Sequence, residues 1–162
     1  MSKTQWRKVE KACEHTDVLH YKSCGLDNIY LVGGFTRHTT RHGVGISIQN
    51  VEGLHRAIAD MLVDSKANLT GKPIKFLRKE MKLTQVQLAA LLKVDEQSVA
   101  RWEKGEFQIS GPAEIVLRGL YREYIGEALN LKKLSENVDS SRELPRRDFE
   151  PTPDGWWHLR AA

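Results

Sequence analysis

The sequence predicts a mainly α-helical fold with a small α+β part: an N-terminal β-hairpin plus helix unit followed by a compact helical bundle. Three observations carry this. Alternating or β-branched apolar runs occur at 28–35 and 43–48, ahead of the helical segments. From Val51 onward, apolar residues recur at three- and four-residue spacing, the period of a helix with one buried face. Gly71, Gly105 and the Gly111-Pro112 pair fall between successive helical runs, where chain breaks belong.

The chain has 162 residues, 40% of them hydrophobic, enough to bury one medium core or two small ones. No apolar run approaches the ~18 residues of a membrane span, and the N-terminal stretch lacks the apolar centre of a secretory signal. A cytoplasmic location with no membrane association is the expectation. Cys13 and Cys24 are too few for a disulfide framework and suit reducing conditions. Net charge is +4 and the pI about 9.1, which favours an anionic partner. Residues 71–126 carry ten Lys and Arg against seven Asp and Glu, while 127–162 are slightly acidic.

In chain order, residues 1–20 read as a polar, lysine-rich N-terminal arm. Residues 21–68 read as the small α+β domain. Its first strand lies in 28–35, Thr36 to His42 forms a loop, and 43–48 is the second strand, with Val44, Ile46 and Ile48 on one face. The two strands can pair as a hairpin. Leu54, Ala57, Ile58, Met61 and Leu62 then mark an amphipathic helix. The polar stretch 64–71 is the expected boundary. Residues 69–136 form the second domain. Pro73 suits a first helical turn, and Ile74, Leu77, Arg78 and Met81 share a face. Thr84 and Gln87 have capping-box spacing. Asp95 can cap the next helix and Gly105 can end it. A last helix opens at Ser110 and is expected to run to about Leu134. Residues 137–162 read as a loosely ordered C-terminal tail, with Trp156 and Trp157 able to dock on the body or on a partner.

The helix after Asp95 is unusual in what it leaves outside. Val99 and Trp102 face inward, so Glu96, Gln97, Ala100 and Arg101 face outward. Gln can pair bidentately with adenine, Arg with guanine, and Glu can accept from cytosine. Ala100 lets the helix sit close or meets a thymine methyl. Thr84 and Gln85 lie at the start of the preceding helix, where an amide and free N–H groups can grip phosphate, and Ser98 sits at the edge of the face. Lys79, Lys82, Lys93 and Lys104 surround the pair with positive charge. This is the pattern of a helix-turn-helix whose second helix enters the major groove of double-stranded DNA.

Thr84-Gln85-x-x-Leu88-Ala89, then Val94 and Ser98-Val99-x-Arg101-Trp102-Glu103-x-Gly105, resembles the Cro/CI-type (lambda-repressor-like) helix-turn-helix family. The resemblance implies a lambda-repressor-like bundle with base contacts from Glu96, Gln97 and Arg101 and a phosphate contact from Gln85. It also implies an internal ion pair between Arg78 and Glu103. Lys93 departs from the pattern, since that turn usually holds glycine; a lysine there must adopt positive φ or tilt the joint. Upstream, Tyr21-x-Ser-Cys-Gly25-Leu-Asp-Asn-Ile-Tyr-Leu31 with 43–48 and the Leu54-His55 helix resembles the MqsA-type antitoxin and regulator group, without its zinc-binding Cys-x-x-Cys pairs. That likeness implies a homodimer, operator binding, autorepression and often a protein toxin partner.

The expected function is therefore a sequence-specific transcriptional regulator, a repressor or autoregulator binding a palindromic operator as a homodimer. The alternative is an antitoxin whose N-terminal domain neutralises a cognate toxin. A third reading is an enzyme or ligand-sensing N-terminal domain. Cys13, His15, His20 and Cys24 have spacing too irregular for a zinc knuckle. Arg37, His38, Arg41 and His42 read as a solvated basic turn; pairing His38 or His42 with Asp27 or Asp60 as acid and base lacks any ordering motif. No catalytic residue, metal or cofactor is expected.

Overall fold

The computed structural model describes residues 17–136 and 143–161. The strands are β1 (Val18–His20), β2 (Ile29–Val32), β3 (Phe35–Thr40) and β4 (Gly43–Ile48), followed by α1 (Val51–Asp64). The helical bundle comprises α2 (Gly71–Glu80), α3 (Gln85–Leu92), α4 (Glu96–Lys104), α5 (Gly111–Tyr124) and the short α6 (Leu131–Glu136). Two further strands follow, β5 (Arg147–Pro151) and β6 (Trp157–Leu159).

The sheet order is β1-β2-β5-β6, with β2 and β5 parallel and the outer pairs antiparallel. The helical bundle is therefore inserted between two neighbouring strands of one sheet. Residues 143–161 do not form the loose tail expected. Phe149 is fully buried, worth about 1.5–3 kcal/mol for a side chain of its size. Trp157 is also buried, its indole Nε1 donating to Gln49 O at 2.9 Å. Its ring fits because residue 34 is glycine: a Cβ there would lie 2.5 Å from the indole. Trp156 stays largely exposed.

The hairpin is also placed differently. β2 pairs with β1 and β5, and Gly33-Gly34 turns the chain into β3, which pairs with β4 from Phe35↔Ile48 to Thr40↔Gly43. The segment 36–42 read as a loop is thus largely strand. Its Thr, Arg and His residues hid the period because both faces are wet, and Val44 and Ile46 opposite are exposed as well.

Boundary 64–71 is packed rather than free, with Ala67, Asn68 and Leu69 buried. Arg118 Nη1 of α5 donates to Leu62 O, Val63 O and Ser65 O, and its Nη2 to Ala67 O, at 2.6–3.2 Å. Glu114, one turn before, accepts from Leu69 N at 3.1 Å. The last carbonyls of α1, which lack helical partners, are thereby satisfied from the next helical layer. One apolar cluster runs through both parts, from Ile29 and Leu31 through Leu54, Ile58 and Leu62 to Leu77, Leu88 and Leu117. The last long helix ends at Tyr124, ten residues earlier than expected: Gly126 takes φ +77° and α6 restarts at Leu131.

Candidate nucleic-acid interface

α3 and α4 are held by local chemistry. Thr84 accepts from Gln87 N at 3.1 Å while the Gln87 carboxamide accepts from Thr84 N at 2.8 Å, a complete capping box. Lys93 makes the joint in the left-handed region, φ 58° and ψ 40°; the chain accepts positive φ at a lysine instead of opening the turn. Asp95 caps α4, accepting from Ser98 N and Ser98 Oγ, both at 2.8 Å. The Ser98 hydroxyl, then its backbone N–H, holds the Asp95 carboxyl below its usual range. Gly105 ends the helix at φ 75°.

Val99 and Trp102 are buried beneath α4, and Glu96, Gln97 and Arg101 are exposed on the opposite side, with Ala100 half-buried. A tight network braces this arrangement. Arg78 makes a two-pronged bond to Glu103, Nε to Oε1 at 2.5 Å and Nη2 to Oε2 at 3.0 Å, and its Nη1 reaches Leu83 O at 2.8 Å. Gln85 Nε2 donates to the same Glu103 Oε2 at 2.8 Å. Helices α2, α3 and α4 thus converge on one carboxylate whose side chain is only 4% exposed. Gly71 lets the start of α2 abut the end of α4, since a Cβ there would lie 2.5 Å from Glu103 O.

The residues assigned from sequence fall into three groups. Glu96, Gln97, Ala100 and Arg101 share the outer surface of α4, and Lys79, Lys82, Lys93 and Lys104 are exposed on the surrounding elements. Thr84 and Gln85 stand at the N-terminus of α3, and one of the two Gln85 amide hydrogens is committed to Glu103, leaving the other for an acceptor. Ser98 has its only hydroxyl hydrogen on Asp95, so a phosphate contact from it requires that bond to exchange. Sequence reasoning missed Phe107. Its exposed ring lies under Arg101, whose Cζ is 5.6 Å from the centroid. That contact restrains a long side chain otherwise free in solvent. A solvent-exposed phenylalanine two residues past the capping glycine was the available signal.

Elsewhere, Cys13 and His15 lie outside the described residues. Cys24 Sγ donates to Tyr21 O, and His20 Nε2 lies 2.7 Å from Asp27 O. Among the described residues no three His, Cys, Asp or Glu side chains gather as metal ligands, and no helix is long and apolar enough to cross a membrane.

Residues 74–112, from α2 to the first turn of α5, match the helix-turn-helix family model of the Cro/CI type. The match supports a DNA-binding regulator. No curated protein and no solved structure matches the chain significantly.

Proposed function

We propose that this protein is a sequence-specific transcriptional repressor that acts in the cytoplasm and binds a palindromic operator as a homodimer, without catalysis. The observation that carries the reading is α4: an outer face of Glu96, Gln97 and Arg101 on a helix locked from behind by Arg78, Gln85 and Glu103. A rigid recognition element loses little freedom on binding, so its base contacts convert efficiently into affinity. In this reading Glu96, Gln97, Ala100 and Arg101 meet base edges. Thr84, Gln85, Ser98 and the four lysines position the duplex through phosphates. Val116 and Tyr124 are exposed on α5 beside half-buried Leu120, a surface that supports pairing of two copies. Two copies would address half-sites about 34 Å apart on one face of the duplex. Footprinting of the full chain on the DNA upstream of its own gene tests this: protection of two inverted half-sites is expected, and no protection at low salt would refute it.

The β3–β4 hairpin favours a second reading, an antitoxin with a protein toxin partner. It carries exposed Val44 and Ile46, four basic or imidazole side chains (Arg37, His38, Arg41, His42) and no carboxylate. Co-purification with the product of an adjoining reading frame, lost in Val44→Asp/Ile46→Asp, tests that reading; no co-purification with the intact hairpin would sink it.

A further inference from the structure

The geometry points to a binding site for a small neutral ring bearing an amide group, in the cavity between the β1–β2 connection and the start of α2. The cavity encloses about 660 Å³, within the usual range for small-molecule sites. The successive residues from Asn68 to Pro73 form one wall, and Asp27 of the connection closes on Lys72 by an ion pair. The groups that would recognise a ligand therefore lie within one short stretch of chain.

Asn68 is the first argument. It is only 8% exposed, and its Oδ1 is buried and accepts no hydrogen bond among the described residues. An unpaired buried carbonyl is unfavourable, and a donor that reached it would relieve the penalty. The terminal torsion of an asparagine is soft and two-fold, so either end of the amide can turn to the cavity. A side-chain amide offers an acceptor and two N–H donors. Its complement is another amide or a ring lactam, joined by two parallel hydrogen bonds, one in each direction.

The start of α2 is the second argument. Thr70 stands at the N-cap position, but its side chain makes no capping hydrogen bond, which leaves the first N–H groups of the helix for another acceptor. The surrounding charges select a neutral ligand. The partial positive charge of the helix start disfavours a cation. Two carboxylates on the same cavity, Asp27 and Glu143, disfavour an anion, and Lys72 is already committed to Asp27. Leu69, Pro73 and Ile74 are buried along the wall and Leu144 is half-buried, so a ring finds apolar cover.

The test needs no DNA, so it stands or falls apart from the repressor reading. The full chain, labelled with ¹⁵N, is titrated with nicotinamide and with uracil, and with nicotinate and pyridine at equal ionic strength. Saturable shifts of the Asn68 side-chain NH₂ and Lys72 backbone N–H signals are expected with nicotinamide and uracil. Nicotinate and pyridine should bind about tenfold more weakly or not at all. Asn68→Leu has a similar size and removes the orphaned carbonyl, so its unfolding midpoint should not fall, while nicotinamide should bind it no better than pyridine does. Should Asn68→Leu fail to fold, Asn68→Ala should show the same loss of discrimination. Absence of a saturable shift with both amides in the wild-type chain would overturn the proposal, as would equal binding of pyridine or nicotinate. A folded Asn68 variant that still prefers nicotinamide over pyridine would overturn it as well.

Discussion

Arg118 and Glu114 stand one turn apart on α5 with no solvent exposure, 2.6 Å between Nη2 and Oε1, and together they grip the segment leaving α1. Four backbone carbonyls and one N–H of that segment end on this pair. The end of α1 and the helical bundle are joined there by polar groups that would be orphaned if either partner left.

Removing one member should therefore be severe. Arg118→Met leaves Glu114 and the carbonyls uncompensated, and a loss of about 3–5 kcal/mol is expected. The double change Arg118→Met/Glu114→Leu should lose less than the two single changes added together. Urea unfolding of the four proteins measures this; additive losses would show that the pair is not a unit.

The Arg78–Glu103 pair braces α4 against α2. Arg78→Ala should cost about 3 kcal/mol because Glu103 is left buried and unpaired. Arg78→Lys restores charge but not the fork and should recover only part. A midpoint for Arg78→Ala equal to wild type would mean the pair is incidental.

Lys93 occupies φ 58°, a region that L side chains enter at a penalty. Lys93→Gly should stabilise the fold by about 1 kcal/mol and, by removing a cation, weaken binding to all duplexes alike. A lower melting temperature in the variant would contradict the first half.

Asp95 gives a pH dependence. Its folded carboxyl titrates below its ordinary value of 3.8, chiefly through the Ser98 hydroxyl. A depressed folded value means the stabilisation is complete above the unfolded value and vanishes as pH falls through the folded one. Asp95→Asn keeps a capping oxygen without charge, so the stability gap to wild type should be present at neutral pH and close in acid. A gap that is constant with pH would rule this out.

Lys79 on α2 and Lys104 at the end of α4 are exposed. Lys79→Ala and Lys104→Ala should each reduce the slope of log affinity against log salt by about one unit, without altering base preference. Loss of selectivity at one base pair would move these lysines into the base-reading set.

The helical half was legible in the sequence because its signals are local. Thr84 with Gln87, Asp95 with Ser98, and Gly105 each act over three or four residues, and Val99 and Trp102 set which side of α4 is left outside. The sheet was not legible, since β2 pairs with β5 across more than a hundred residues, and nothing near Phe149 announces that partner. Strand β3 was hidden because both faces meet solvent and carry Thr, Arg and His. Arg118 was invisible for a similar reason: on a helix an i,i+4 Glu-Arg pair usually signals a wet face, and only the distant carbonyls of α1 make it a core element.

The central claim, that α4 reads bases, is tested most directly by selecting duplexes from a randomised pool with the wild-type chain, Gln97→Ala and Arg101→Ala. The wild type should enrich an inverted repeat, and each variant should lose preference at one symmetric pair of positions, a loss of about 1–3 kcal/mol there. No enriched sequence for the wild type, or an identical one for all three proteins, would contradict it.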